Sequence, residues 1–344
     1  MGQTDWEDSF FPSTLGSYQL DGQIGSGTFG EVQRATHCTT GQRVALKQVY
    51  VKQPARGPSG LTHPEDAALR EIKALRTINH PHVVTLHDVF TKDDTHVLVM
   101  ELCCTDLAAA LDHAKVGWDE ALIRGLLRQL LQGVAACHNT GYLHRDLKPA
   151  NLLLTEEGLL KVGDLGQSRP HDARPGTGRA AAYTAAVATR WYRAPELLLG
   201  SRSYGPAADM WAVGCILAEM LGMCPLFSGD SDFDQLGRLV EVLGSISTRT
   251  WPEVQHMPDF HKLCFKDAPA AEWNEVFPDA SSEAVDLLSH LVQWNPEQRL
   301  TAEEALQHSF LSKGSVPLEL EECRQLAAWT ASAQAASKNR RPRA

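Results

Sequence analysis

No stretch of this 344-residue sequence reaches the roughly 20 consecutive apolar residues that a bilayer-crossing helix needs, so no membrane span is expected. The opening MGQTDWEDSF lacks the apolar run of a secretory leader. Gly2 invites a myristoylation reading, but Trp6 stands where that frame needs Ser or Thr, which argues against it. The 8 cysteines include no Cys-x-x-Cys pair, and with the missing leader this predicts reduced thiols in an intracellular protein. Basic residues are outnumbered, 32 Lys and Arg against 42 Asp and Glu, for a formal net charge of −10. A general nucleic-acid partner is therefore not expected, since it would call for a basic surface. Any phosphate the protein handles must meet positive charge gathered locally. No internal repeat is apparent.

The chain does carry ample apolar content, 43%, enough to build one large domain or two lobes around a cleft. Residues 1–17 are acidic and aperiodic and read as an N-terminal extension. Residues 312–344 drift into Ala and Ser and end in SKNRRPRA; they read as a poorly ordered tail whose KNRRPR is either a nuclear address or a solvated basic end. From Tyr18 to Met100, YQLDGQIG, EVQRATH, QRVALKQVY and THVLVMEL are short apolar or alternating runs separated by turn residues, as in strands. One helix interrupts them, PEDAALREIKALRTI, with Pro64 and acidic residues in its first turn. After a link at 101–106 the character reverses. ALIRGLLRQLLQGVAACH spaces Leu122, Leu126, Leu130 and Val134 as on one helical face, and DMWAVGCILAEM is apolar nearly all round, as in a buried helix. The expectation is a small β-rich lobe at 18–100, a linker, and a large helical lobe at 107–311, with the candidate site in the cleft between them.

GSGTFGEV, Gly25 to Val32, contains Gly-x-Gly-x-x-Gly, a weak signal alone. A dinucleotide-binding loop needs a helix after it, and here a strand follows; a Walker A loop needs Lys after Gly30, where Glu31 stands. What fits is a glycine hairpin between two strands, with VALK, Val44 to Lys47, on a following strand. Backbone amides freed of side chains can approach phosphate oxygens, and Lys47 supplies charge. A lone ammonium needs a carboxylate to fix it, and Glu71 on the helix is the candidate.

YLHRDLKPANLLL, residues 142–154, sets Asp146, Lys148 and Asn151 in a polar loop between apolar runs, and KVGDLGQSRP follows with Asp164 in a tight turn. Taken in order, GxGxxGxV, VALK, HRDLKPAN, Asp-x-Gly and APE resemble the protein kinase family across residues 18–311. The resemblance implies an α+β bilobal protein kinase fold with a β-rich N-lobe, one key helix and a helical C-lobe, using ATP and Mg²⁺. It implies that Asp146, Lys148 and Asn151 are catalytic and that Asn151 and Asp164 hold the metal. ATP contacts fall, by the same likeness, on Ile24, Gly25, Ser26, Gly27, Thr28, Phe29, Gly30, Glu31 and Val32 of the loop. Further contacts fall on Ala45, Lys47, Glu71, Met100, Glu101, Cys103, Asp106 and Leu153. Val32, Ala45 and Leu153 would sandwich the base, Glu196 of APE would pair with Arg299, and Asp209 would brace the catalytic loop. Leu75, Leu86, His144 and Leu165 would form an apolar column; Leu165 replaces a common Phe and fills less space.

Within the family, Lys148-Pro149 resembles serine/threonine rather than tyrosine kinases. WYRAPELLLG, DMWAVGCILAEM and PLFSGDSDFDQLGRLVEVLGS resemble the cyclin-dependent branch. Thr184 sits where that branch carries its activating threonine, and Arg70, Arg145 and Arg169 fall where it gathers arginines around the phosphate. The likeness implies protein substrates with Ser-Pro or Thr-Pro sites, Val187 and Arg193 shaping the proline pocket, a cyclin-like activating partner and an upstream kinase for Thr184. ALREIKAL, LKPANLLL and FKDAPAAEWNEVFPDAS look most like the cell-cycle-related kinase group. That group's likeness implies action on other kinases, roles in the cell cycle and in cilium or flagellum length, and a place in cytoplasm, nucleus or cilium. The kinase that activates cyclin-dependent kinases is the alternative, and a scaffold that has lost catalysis is a third. PEDAALRE departs from the PSTAIRE of cyclin-binding members, and Phe29 replaces their inhibitory tyrosine.

Overall fold

The computed structural model describes residues 14–27, 30–50, 64–171, 187–202, 205–264, 266–312 and 316–340. Five antiparallel strands form the N-lobe sheet: β1 (Tyr18–Gly27), β2 (Gly30–His37), β3 (Arg43–Tyr50), β4 (Leu86–Lys92) and β5 (Thr95–Glu101), in the order β1-β2-β3-β5-β4. The two-residue period of a strand sorts β3 into two faces. Val44 and Leu46 bury with Tyr18, Ala35, Phe90, Val97 and Val99 on one side. Ala45, Lys47 and Val49 take the other, where Val49 packs with Leu98 and with Ala68 and Ile72 of α1 (Pro64–Thr77). Thus the alternation that builds the sheet also points Lys47 at the helix that carries Glu71. At the hairpin, Gly27 pairs with Gly30, and a Cβ on Gly30 would lie 1.6 Å from the Gln48 carbonyl oxygen, so no side chain fits there.

The C-lobe begins with β6 (Thr105–Asp106), α2 (Leu107–His113) and α3 (Glu120–Asn139). Asp119 accepts a bond from the Ala121 amide at 2.8 Å and starts α3, whose Leu126, Leu127, Leu130, Leu131 and Val134 bury in the main core. Short strands follow: β7 (Tyr142–Leu143), β8 (Leu152–Leu154), β9 (Leu160–Val162) and β10 (Arg169–Pro170). They pair as β6-β8-β9 and β10-β7 and hold the loops that face the cleft. The helical remainder is α4 (Pro195–Leu198), α5 (Pro206–Gly222), α6 (Asp232–Leu243), α7 (Trp273–Val276), α8 (Ser282–Leu291), α9 (Ala302–Leu306), α10 (Ser309–Ser312) and α11 (Val316–Arg340). As its composition predicts, α5 is buried at every position from Asp209 to Met220. No helix among the described residues is long and apolar enough to cross a membrane.

The C-terminal tail differs from the sequence reading. Instead of a poorly ordered stretch, most of it is α11, which lies along α3 and reaches α2 and β6. Its buried face is made of Glu319, Cys323, Leu326, Ala327 and Thr330. Arg124 and Arg128 of α3 bond both oxygens of Glu319 at 3.1–3.2 Å, and Thr105 donates to Gln334 at 3.1 Å. Gly125 makes room for the helix: a Cβ there would stand 2.9 Å from the Glu319 Cβ. Two part-buried cations paired with one buried carboxylate, and a face where Leu326 sits among the smaller Cys323, Ala327 and Thr330, explain how so polar a segment docks.

Candidate active site

Lys47 reaches across from β3 and places its Nζ 2.8 Å from both carboxylate oxygens of Glu71 and 3.2 Å from Asp164 Oδ1. Glu71 is 3% exposed. Burial pulls the Lys47 pKa down, but the two carboxylates outweigh it and leave the ammonium held well above its usual range. The same contact holds the Asp164 carboxyl below the usual carboxylate range, Lys47 being the main cause and burial opposing. The helix, the β3 lysine and the Asp-Leu-Gly turn thus meet at one point; the sequence order suggested the Lys47–Glu71 pair and not its contact with Asp164.

The Asp164 backbone takes a left-handed conformation, φ 54°, and its side chain is 43% exposed toward the cleft. Leu165, next in line, is fully buried with Leu75, and Leu86 packs against that cluster. An aliphatic side chain therefore fills the column that the sequence left open to question. His144, also buried, faces the Gly163 carbonyl at 2.9 Å and accepts from the Asp146 amide at 3.2 Å, which makes it a packing and bracing residue.

Asp146 Oδ2 accepts from Lys148 Nζ at 2.8 Å and from Asn151 Nδ2 at 3.2 Å, and Asn151 also donates to the Asp146 carbonyl at 2.7 Å. Asp146 Oδ1 is buried and has no hydrogen-bond partner among the described residues. Arg145 adopts φ 74°, and the strained turn is held by Asp209 of α5, which accepts from the His144 and Arg145 amides, both at 2.8 Å. His138 Nε2 lies 2.9 Å from the same carboxylate. Burial pushes the Asp209 carboxyl up, but these donors win and hold it low. Sequence reasoning found Asp209 and missed His138, whose position in the last turn of α3 gives no local sign of a buried partner. Glu196 and Arg299 form the expected bidentate pair, at 2.9 and 2.8 Å, with the guanidinium 5.1 Å over the Trp211 ring.

The other predicted residues take these places. Ile24, Gly25, Ser26 and Gly27 lie on β1, Gly30, Glu31 and Val32 on β2; Thr28, Phe29 and Thr184 lie outside the described residues. Ala45 pairs with Met100 across β3 and β5, and Leu153 pairs with Asp106. Asp106 caps α2 through the Ala109 amide at 2.9 Å, so that oxygen is already engaged. Burial, and next the Glu101 carboxylate, push the Cys103 thiol up to about 12, which makes it a poor nucleophile. Arg70 Nε donates to the Gly166 carbonyl at 3.2 Å and Arg145 Nη1 to that of Gln167 at 3.4 Å. Burial, then the nearby charge of Arg169, lowers the Arg70 pKa, with Asp66 opposing and Arg145 adding to the fall, so both other arginines lie near Arg70.

The family profile "Protein kinase domain" matches residues 18–311. This chain is a protein kinase of the cyclin-dependent kinase family. The kinase is 43% identical to cyclin-dependent kinase 20 of Rattus norvegicus over 304 residues, 88% of this chain and 85% of that protein. It is 40% identical to cyclin-dependent kinase F-3 of Oryza sativa subsp. japonica over 298 residues, 87% and 66% of the two chains. Cyclin-dependent kinase 7 of Dictyostelium discoideum is 38% identical over 301 residues, 87% and 81%. The kinase uses ATP and Mg²⁺, as its family does.

Among the described residues, Asp286, His290 and His308 alone have the composition and spacing of a metal cluster. Their bonds explain them otherwise. His308 Nδ1 accepts from the Phe310 amide at 3.2 Å, which turns its Nε2–H toward Asp286 Oδ2 at 3.0 Å, and His290 Nδ1 faces the Asp286 carbonyl at 2.8 Å. A metal on His308 would require the opposite tautomer.

Proposed function

We propose that this kinase phosphorylates serine and threonine residues followed by proline, with Asp146 orienting the hydroxyl and taking its proton. The observation that carries the reading is the divided Asp146 carboxylate: Oδ2 is held by Lys148 and Asn151, while Oδ1 is buried without a partner among the described residues. A buried acceptor of this kind is costly until a donor reaches it, and a substrate hydroxyl is such a donor. Lys148, 2.8 Å from the carboxylate, would meet the charge of the transferring group. Lys47, fixed by Glu71, would hold the α- and β-phosphates.

The donor set suits Mg²⁺: a carboxylate on Asp164 open to the cleft and an amide oxygen on Asn151, whose nitrogen is already committed to Asp146. When bound there, Mg²⁺ would neutralise phosphate charge as the leaving oxygen departs. A set this complete argues against a scaffold without catalysis.

Proline selection rests on the resemblance to the cyclin-dependent kinases, which puts Val187 and Arg193 where that family shapes a pocket for the proline after the target residue. Activation by phosphorylation of Thr184 rests on the resemblance, which puts Arg70, Arg145 and Arg169 where the family gathers a phosphate, and on the nearness of Arg169 and Arg145 to Arg70. A cyclin-like partner, other kinases as substrates, a role in the cell cycle or in cilium or flagellum length, and a cytoplasmic, nuclear or ciliary place are proposals that rest on the resemblance to the cell-cycle-related kinases. The alternative of a kinase that activates cyclin-dependent kinases rests on the resemblance of the WAVGCILAE and GDSDFDQL stretches to that kinase.

Protein purified from its own cells, supplied with MgATP and paired Ser-Pro and Ser-Ala peptides, tests the reading. Asp146→Asn is expected to lose roughly 10²–10⁴-fold in rate while still binding nucleotide. Equal rates for wild type and variant would overturn the assignment, and equal use of both peptides would overturn the proline selection.

A further inference from the structure

Lys161 lies on β9, three positions before Asp164, and is 6% exposed. Its Nζ is 2.8 Å from Oε2 of Glu101, the last residue of β5 and the start of the linker between lobes. The other Glu101 oxygen accepts from the Thr85 amide at 2.7 Å, while the Glu101 amide donates to the Thr85 carbonyl at 3.0 Å. The segment before Thr85 is in turn stitched to β9: the Val84 amide donates to the Val162 carbonyl at 3.0 Å, and the Val162 amide to that of His82 at 2.9 Å. These bonds close a ring that runs from Lys161 through Val162, Val84, Thr85 and Glu101 back to Lys161. A buried ammonium on a part-buried carboxylate is retained against its desolvation cost only when geometry and extra hydrogen bonds satisfy both, and here both carboxylate oxygens are engaged.

The ring ties together two parts that the sequence separates. One is the linker backbone beginning at Glu101, beside Met100 and Cys103. The other is β9, which leads directly to Gly163 and Asp164; the Gly163 amide donates to the Asn151 carbonyl at 2.9 Å. Under the kinase reading, on which this inference rests, the base of the nucleotide lies at the first and its phosphates at the second.

We propose that Lys161 is a positioning residue for ATP: through Glu101 it sets the linker backbone against β9, so that the base site and the Asp164 end stay in register. Lys161 touches no nucleotide in this assignment, and its effect passes through Glu101. Removing the cation leaves the part-buried Glu101 carboxylate without its counter-charge, and the linker loses its fixed distance from Asp164.

The test uses the full chain and ADP as the probe, by calorimetric titration, in wild type, Lys161→Met, Lys161→Arg and the double variant Lys161→Met/Glu101→Met. The double variant replaces the ion pair with apolar side chains that fill the space, an exchange that generally preserves folding. Lys161→Met is expected to weaken ADP by about tenfold, to raise the KM for ATP by more than it lowers kcat, and to be largely rescued by Lys161→Arg. The double variant is expected to regain thermal stability without regaining affinity. An ADP affinity equal to wild type in folded Lys161→Met, or recovery of stability and affinity together in the double variant, would overturn the inference. Failure of wild type itself to bind ADP would instead overturn the kinase reading.

Discussion

Glu219 of α5 is 7% exposed, and its Oε2 accepts from the Tyr192 hydroxyl at 2.6 Å. Burial pushes the carboxyl from 4.5 up to about 7; the Tyr192 bond opposes the rise and Asp112 adds to it. Between those values the folded chain holds a proton that the unfolded chain has released. The contribution is full below pH 4.5 and is lost as pH rises through 7. The difference corresponds to about 3 kcal/mol of stability. Glu219→Gln keeps the shape and an oxygen for Tyr192 but cannot ionise. Urea unfolding at pH 5, 6, 7 and 8 should therefore show the variant gaining on wild type by up to about 3 kcal/mol from the lowest to the highest pH. An unpaired amide on the glutamine adds about 1–3 kcal/mol of cost at every pH, so the change with pH is the quantity to read. A stability difference that stays constant across this range, or one that moves toward wild type as pH rises, would refute the reasoning.

Arg299→Met should destabilise by about 3–5 kcal/mol in the same assay, because it strands the Glu196 carboxylate in the core. Gly125→Val should lift α11 from α3, seen as rapid proteolysis after residue 312 with the remaining domain resistant; equal protection in variant and wild type would refute the docking argument. Iodoacetamide at neutral pH should label Cys103 more slowly than the exposed Cys38, Cys224 and Cys264, and mass spectrometry of the labelled peptides settles the order.

What could be read from the sequence was whatever chemistry is packed into short spacing. HRDLKPAN sets Asp146, Lys148 and Asn151 within one loop, so their convergence needs no long-range folding. The helix at 206–222 was readable because a helix buried on all sides must be apolar all round. The ring through Lys161 and Glu101 could not be read this way, since Lys161 looks like a solvated charge and its pairing with the Glu101 of the linker exists only once the lobes are folded together. His138 escaped for the same reason. The Ala- and Ser-rich tail was misjudged because its docking face uses mostly small side chains and one paired glutamate, which leave no apolar periodicity.

The region that matches the kinase family ends at residue 311, yet Arg124 and Arg128, inside it, find their carboxylate beyond it, on Glu319. The boundary of likeness and the boundary of the packed structure are therefore different places. A protease or splice event that removed the last thirty or so residues would delete nothing catalytic, yet it would strand two part-buried cations and take away the Thr105 contact beside the linker. Loss of that short end would be felt as reduced lifetime of the whole enzyme in the cell, where a stability change of about 1–2 kcal/mol alters abundance several-fold.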